Sequence, residues 1–239
     1  MLPDLTGPQM LAVAIQMPPT LTLSFYPFGV ILRRTTGDGG IVEYPVDPAQ
    51  IAEALAAKTR FDTGLLNPNT LCVRAEGLTR TVVDYRPPQK TAIHIDGSDV
   101  PFRVPLPGLV MSRTTTGGDS PQYSIFAVKD RPSTLQAPLF LAPLPNLYAD
   151  GAVCWGSVNK VSAEALAGAD LTEDWRMLLG SLFTAHSVSG KSRSQPQDIR
   201  KKLAELDIRK ARAYPKRDLV PYKTTLEAAL QKFSERTRP

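Results

Sequence analysis

Six short apolar runs between residues 70 and 129 constrain the fold of this chain more than any other feature. Each run is rich in β-branched or aromatic residues, and Gly, Pro-Pro or Gly-Gly punctuates the intervals. Because such short connections leave no room for crossover helices, the runs predict an antiparallel β-meander. The predicted strands are residues 71–75, 79–85, 91–95, 102–104, 109–112 and 123–128.

Patterns on either side of the meander predict further elements. Apolar and polar residues alternate over 20–34, which predicts a strand, and Gly37-Asp38-Gly39-Gly40 predicts a hairpin turn leading to a strand at 41–44. Asp47 followed by Pro48 is typical of a helix start, and apolar side chains continue at helical spacing to about residue 60. Further helices are predicted at 162–167, 172–185, 198–206 and 224–233, and a disordered linker at 187–197.

Length and composition bound the class of protein. A chain of 239 residues with 42% hydrophobic residues suits one large domain with extensions. No signal peptide is evident, since residues 1–19 lack a charged n-region and the apolar stretch at 10–17 is too short to span a bilayer. Two cysteines do not make a disulfide framework, so we expect a cytoplasmic protein with both thiols reduced and no membrane partner.

Charge is unevenly distributed along the chain. Residues 187–239 carry 14 Lys/Arg against 6 Asp/Glu, whereas residues 1–186 carry 14 against 17. A basic tail on a mildly acidic body is compatible with an acidic partner surface or with nucleic acid. It is equally compatible with a solvated helical face, which is the interpretation we favour.

A tightly specified loop at residues 144–156 carries the candidate chemistry. Pro145-Asn146 opens the loop and Asp150-Gly151 marks a second turn, and these residue types suit the backbone angles of turns. Cys154 follows at the end of the loop, eight residues after Asn146. A thiol nucleophile and an amide donor that can stabilise an oxyanion are the minimum for acyl transfer through a thioester.

The sequence disfavours several other chemistries. A cysteine protease needs a histidine beside its thiol, and neither His94 nor His186 lies near Cys154 in sequence, although the fold could bring one close. Cys72 and Cys154 lie 82 residues apart with no paired spacing, which disfavours a zinc site. The Gly-rich turns lack the Lys-Ser/Thr of a phosphate-binding loop. We therefore expect no metal and no cofactor.

The loop resembles the active-site segment of ubiquitin-conjugating enzymes. There, a His-Pro-Asn tripeptide precedes a Gly-x-(Ile/Val)-Cys run, with seven residues between asparagine and cysteine. Asn146 and Cys154 keep this spacing, Gly151-Ala152-Val153-Cys154 matches the second half, and Leu144 stands at the histidine position.

Flanking stretches resemble a narrower group, protein B of the PRTRC system (ParB-related, ThiF-related cassette), a prokaryotic branch of the conjugating-enzyme superfamily. The resemblance covers roughly residues 20–190. Besides the loop, the resembling stretches are Thr63-Gly64-Leu65-Leu66, Val104-Pro105-Leu106-Pro107-Gly108-Leu109-Val110, Tyr123-Ser124-Ile125-Phe126-Ala127-Val128-Lys129 and Ala142-Pro143.

The resemblance implies an α+β fold of the ubiquitin-conjugating type. That fold has a helix, a four-stranded meander, the cysteine loop and then helices, and the hairpin near the N-terminus is an addition to it. We accordingly divide the chain into a flexible lead-in at 1–19, a conjugating-enzyme-like domain at 20–186 and a basic helical extension at 187–239.

The resemblance also implies a function. Cys154 would carry a ubiquitin-like modifier as a thioester and pass it to an amine, while Asn146 stabilises the oxyanion; this step requires no cofactor. The implied partners are a ThiF-like activating enzyme, a ubiquitin-like modifier and a metal-dependent deconjugating peptidase. Two alternatives remain open: a non-catalytic module that binds the modifier, with which Leu144 is compatible, and a nucleic-acid accessory factor that uses the basic tail.

Each candidate residue also has a structural interpretation. Cys154 is either a nucleophile or a buried thiol, and Asn146 is either an oxyanion donor or only a turn residue. Asp150 either orients and deprotonates an incoming lysine or caps the turn. We expect Tyr148 and Trp155 to be loop anchors that pack on the core.

Overall fold

The computed structural model describes residues 19–56, 63–77, 79–116, 120–156 and 168–236. The predicted helix at 162–167 and nearly all of the predicted lead-in lie outside these residues. The contacts divide the chain into two compact units, Met1–Asp62 and Thr63–Pro239. No helix among the described residues is long and apolar enough to cross a bilayer.

The N-terminal unit contains a three-stranded antiparallel sheet followed by a helix. Its elements are β1 (Leu21–Tyr26), β2 (Gly29–Thr35), β3 (Ile41–Val46) and α1 (Pro48–Ala56). The prediction of one strand over 20–34 is wrong, because the chain reverses at Pro27-Phe28 and Tyr26 pairs with Gly29. The helix start is confirmed: the Asp47 carboxylate accepts a hydrogen bond from the Ala49 N–H at 2.9 Å.

The second unit is built on two sheets, which contain all six strands predicted between residues 70 and 129; these strands are divided between the sheets and do not form one continuous meander. A six-stranded sheet has the order β12-β10-β9-β8-β5-β4, and a three-stranded sheet has the order β11-β6-β7. Because β5 pairs directly with β8, the β6–β7 hairpin lies outside the main sheet. The third strand of the smaller sheet is β11, which pairs in parallel with β6. The strands are β4 (Thr70–Glu76), β5 (Thr79–Arg86), β6 (Gln89–Ile95), β7 (Phe102–Leu106), β8 (Gly108–Thr116), β9 (Gln122–Val128), β10 (Pro138–Leu141), β11 (Leu182–Phe183) and β12 (Pro221–Thr225).

Three helices of this unit are described: α2 (Thr172–Gly180), α3 (Ile199–Ile208) and α4 (Leu226–Arg236). The predicted helix at 172–185 is too long, because Ser181 is extended and Leu182–Phe183 forms β11 instead, with Phe183 fully buried. The predicted helix at 224–233 starts two residues later than expected because β12 takes up Thr224 and Thr225. The chain is thus an α+β protein with mainly antiparallel sheets, as predicted.

The main sheet separates two hydrophobic clusters. Val82, Met111 and Ile125 point to one cluster, while their neighbours in sequence Val83 and Val110 point to the other. Side chains from α2 and α3 complete the first cluster, and side chains from α4 complete the second. Since both faces of the central strands are buried, β8 and β9 each contain a run of consecutive buried apolar residues, Leu109–Met111 and Ile125–Val128, instead of alternating.

The prediction of a disordered linker at 187–197 is wrong. Lys191 and Ser192 are buried. The Asp218 carboxylate accepts hydrogen bonds from the Ser192 hydroxyl and from the Ser194 N–H, both at 2.7 Å, and from the Tyr214 hydroxyl at 2.8 Å. Hydrogen bonds to the buried Asp218 carboxylate therefore help to order a segment whose composition favours disorder. The domain boundary at 186/187 stays a prediction.

Candidate functional site: the cysteine loop

The loop at residues 146–154 closes on itself as a narrow antiparallel ladder. Leu147 pairs with Val153, and the Tyr148 N–H donates to the Ala152 carbonyl at 2.8 Å. At the open end, the Cys154 N–H donates to the Asn146 carbonyl at 2.8 Å. The predicted proximity of these two residues is therefore real: a backbone hydrogen bond holds the cysteine against the asparagine.

The far end of the loop is fastened to strand β9. The Ile125 N–H donates to the Gly151 carbonyl at 2.8 Å, and the Val153 N–H donates to the Tyr123 carbonyl at 3.1 Å. Gly151 has a φ of 87°, and its Cα faces the ring of Phe126 so closely that a Cβ would overlap the ring. Only glycine fits this position, because it alone combines left-handed backbone geometry with so close an approach.

Asn146 makes contacts that the sequence did not predict. Its φ of 57° is left-handed, and its N–H donates to the His186 carbonyl at 2.9 Å. Its side-chain carbonyl accepts from the Thr184 N–H and hydroxyl at 3.2 and 3.0 Å, and its side-chain amide donates to the Leu182 carbonyl at 3.2 Å. One of the two amide hydrogens is thus used within the fold, so an oxyanion would have to be bound by the second.

Cys154 is half-buried; the Tyr148 hydroxyl reaches its thiol, and the His186 ring packs against Tyr148. A hydrogen bond between the Tyr148 hydroxyl and the Cys154 sulfur raises the pKa of the Tyr148 phenol above its ordinary value. The His186 ring packs edge-on against the Tyr148 ring, with 5.3 Å between centroids. Tyr148 is 44% exposed, so the expectation that it packs on the core is wrong.

The tyrosine and histidine could not be found from sequence for different reasons. His186 lies 32 residues after Cys154 in sequence, and hydrogen bonds from Asn146 to the carbonyls of Leu182 and His186 hold its segment against the loop. Tyr148 belongs to the loop, but nothing in the pattern distinguishes an anchor from a side chain turned toward the thiol. The same expectation is confirmed for Trp155, which packs against the first cluster and stands edge-on to Tyr123 at 4.9 Å.

Asp150 and Leu144 both contribute to the shape of the loop. The Asp150 carboxylate accepts from the Ala152 N–H at 3.1 Å, which is the geometry of a turn cap. A role of Asp150 toward an incoming lysine stays a prediction. Leu144, at the histidine position of the motif, is fully buried in the first cluster.

Lys191 is a buried residue beneath the loop that sequence reasoning missed. Its side chain is 2% exposed, and its Nζ donates to the carbonyls of Leu144 and Leu147 at 2.7 and 2.6 Å. Burial lowers the pKa of the Lys191 ammonium to about 7. No sequence signal pointed to it, because a lysine in a Gly/Ser-rich stretch is normally solvated.

The lowered pKa of Lys191 predicts how stability depends on pH. Between pH 7 and the ordinary lysine value of 10.5 the unfolded chain binds more protons, so raising the pH favours the folded state; below pH 7 this contribution is flat. We compare the free energy of unfolding of the wild type with that of Lys191→Met. The difference between the two proteins is expected to shift in favour of the wild type by on the order of 3 kcal/mol when the pH is raised from 7 to 9.5. Urea unfolding at both pH values measures it, and parallel pH profiles for the two proteins would contradict it.

The second cysteine lies in a different setting. Cys72, on β4, is half-buried and packs against the second cluster, and burial raises the pKa of its thiol. The turn at Asn67-Pro68-Asn69, which superficially resembles the start of the cysteine loop, is closed by the Asn67 side chain accepting from the Asn69 N–H at 3.0 Å. Among the described residues, no group of three His, Cys, Asp or Glu side chains is arranged to hold a metal.

A family model called prokaryotic E2 family D matches residues 48–222 of the chain. The chain belongs to prokaryotic E2 family D. No curated protein and no solved structure matches it. The match begins at the first residue of α1, includes the cysteine loop, and continues through Lys191 and α3 into β12. The resemblance to a prokaryotic branch of the E2-like superfamily is therefore confirmed, whereas membership in PRTRC protein B stays a prediction.

Proposed function

We propose that this family D protein is a conjugating transferase that carries a ubiquitin-like modifier as a thioester on Cys154. The observation that carries the proposal is the arrangement of the loop, in which a half-buried thiol lies beside the Tyr148 hydroxyl and is tied through its backbone to Asn146. Membership in an E2 family supports it. The second thiol is a poor alternative, since burial raises the pKa of Cys72.

The reaction would have two steps. The Cys154 thiolate attacks the thioester carbonyl of the activated modifier, the new S–C bond forms, and the cysteine of the activating enzyme leaves as a thiolate. A substrate amine then attacks the Cys154 thioester, the tetrahedral oxyanion collapses to an amide, and the Cys154 thiolate leaves. The second amide hydrogen of Asn146 would donate to the oxyanion, and the Asp150 carboxylate would accept the proton that the amine loses.

The proposed partners follow from the same assignment. We propose a ThiF-like activating enzyme that supplies the modifier, a ubiquitin-like protein as the modifier, and a metal-dependent peptidase that reverses the conjugation. Assignment to protein B of the PRTRC system is part of this proposal. A genetic neighbourhood that holds a ThiF-like gene next to this one would support it.

Trapping of the covalent intermediate tests the proposal. With activating enzyme, modifier and ATP, the wild type is expected to form an adduct that dithiothreitol cleaves, and Cys154→Ser an adduct that resists dithiothreitol but not alkali. Cys72→Ser serves as the matched control and should charge like the wild type. The proposal fails if the activating enzyme forms its own thioester with the modifier but the wild type receives none.

A non-catalytic modifier-binding module is the second candidate. The contacts of the Asn146 carboxamide with Leu182 and Thr184 favour it, because they assign a structural role to the proposed oxyanion donor. Calorimetry distinguishes the two functions. A module would bind the modifier equally well as wild type and as Cys154→Ala, and would form no adduct in the trapping assay.

A further inference from the structure

We propose that Lys191 is a positioning residue of the cysteine loop: by holding the carbonyls of Leu144 and Leu147, it fixes Asn146 and Cys154 in their reactive arrangement. This inference rests on the proposed transfer chemistry for its functional meaning. The positioning itself involves only the cysteine loop and the segment at 187–197, which contains Lys191.

The two acceptors of Lys191 flank the turn that contains Asn146. The carbonyls of Leu144 and Leu147 converge on one Nζ, at 2.7 and 2.6 Å, only because Pro145 and the left-handed Asn146 reverse the chain between them. The side chain of Lys191 has at least two N–H hydrogens whether it is an ammonium or a neutral amine, so it can donate to both carbonyls in either state. The lysine therefore stabilises a turn in which Asn146 has an unfavourable left-handed backbone.

The turn is connected directly to the nucleophile. Leu147 pairs with Val153, and the carbonyl of Asn146 accepts from the Cys154 N–H at 2.8 Å. A shift of the turn thus moves the thiol relative to the Asn146 side chain. Displacements of about 1 Å at a reacting centre are enough to reduce a rate up to about 100-fold.

The lysine replaces a feature that the loop lacks. The motif that the loop resembles has a histidine where this chain has Leu144, and leucine offers no side-chain hydrogen bond. Lys191 supplies two donated hydrogen bonds to the same turn from a distant segment. That segment is itself held by Asp218, which accepts from Ser192 and Ser194. Burying an ammonium is costly unless its hydrogen-bond partners are in place, which this scaffold ensures.

A comparison of two buried lysines tests the inference. Lys191→Met removes the donors at similar side-chain length, and Lys202→Met is the matched control, since Lys202 is also buried but pairs with Glu205 on α3. All variants carry Cys72→Ser and are compared at a temperature at which each is fully folded. The measurements are the rate of Cys154 alkylation by iodoacetamide, the exchange of the Cys154 amide hydrogen, and the discharge of a preformed thioester to free lysine.

We expect Lys191→Met to change the alkylation rate at least about fivefold, to accelerate amide exchange at Cys154, and to slow discharge about 10- to 100-fold. Lys202→Met should stay within about twofold of the wild type, and Lys191→Arg, which keeps N–H donors, should retain most of the rate. If Lys191→Met does not fold, Lys191→Gln takes its place: its amide is polar, but its shorter side chain should not reach both carbonyls, so we expect the same changes at smaller size.

The inference would be overturned if Lys191→Met and Lys202→Met showed the same alkylation rate, the same amide exchange at Cys154 and the same rate of thioester discharge. Its failure is separable from that of the proposed function. If the wild type forms no thioester, the proposed function fails, while alkylation and amide exchange still decide whether Lys191 positions the loop. If the wild type is charged and Lys191→Met discharges normally, only the inference about Lys191 fails.

Discussion

Replacing Arg113 with methionine is expected to lower the free energy of unfolding by about 3–5 kcal/mol, because it leaves a buried carboxylate without its cation. The guanidinium lies 3.0 Å from the Asp174 carboxylate, and both side chains are 1% exposed. Asp174 also accepts from the Tyr123 hydroxyl at 2.6 Å, so the pair joins β8, β9 and α2. Urea unfolding measures the change.

Two further variants test the cause of this loss. Arg176→Met, on the same helix as Asp174, removes an exposed pair with Glu173 and should lower the free energy of unfolding far less than Arg113→Met does. The double variant Arg113→Met with Asp174→Leu should be more stable than Arg113→Met alone, because no unpaired charge remains buried. If the free energy of unfolding of Arg113→Met lay within about 1 kcal/mol of the wild-type value, the buried pair would not stabilise the fold.

Replacing Gly151 with alanine is expected to destabilise the cysteine loop strongly. The new Cβ would overlap the ring of Phe126, which is itself fixed in the second cluster, and the φ of 87° is unfavourable for any residue with a side chain. The backbone conformation costs about 1–2 kcal/mol and overpacking about 1–3 kcal/mol more. We expect a total loss of roughly 2–5 kcal/mol in unfolding free energy, and a loss of thioester formation on Cys154.

Gly97 provides the control for backbone strain. It has a φ of 83° at the turn after β6, and a Cβ at this position meets nothing within 4 Å. Gly97→Ala should therefore show only the backbone cost of about 1–2 kcal/mol and leave Cys154 reactivity unchanged. Equal losses of stability in the two variants would contradict the overlap with Phe126.

The sequence alone determined the six strands between residues 70 and 129 and the turns of the cysteine loop. Short β-branched runs between glycines and prolines predicted the six strands of the meander, because the preference of these residues for extended backbone is local. Pro145, Asn146, Asp150 and Gly151 predicted the cysteine loop for the same reason: their backbone preferences act within a few residues. The spacing of Asn146 and Cys154 predicted that the two residues would lie together, and they do.

Elements that form only through distant pairing could not be predicted in this way. Leu182–Phe183 reads as the end of an amphipathic helix and becomes a strand because β6, which has left the main sheet, offers it an open edge. The composition of the segment at 187–197 predicts disorder, but the segment is ordered because Asp218 and the carbonyls of Leu144 and Leu147 accept its hydrogen bonds. In both cases the stabilising group belongs to another part of the chain.

The surroundings of the thiol likewise depend on tertiary structure. The sequence supplied Cys154, Asn146 and the loop between them, whereas the tertiary structure added the His186 ring next to Tyr148 and the Lys191 ammonium beneath the turn. The reason is physical: backbone preferences are properties of neighbouring residues, but a buried ammonium is stable only where the folded chain brings carbonyl oxygens to it.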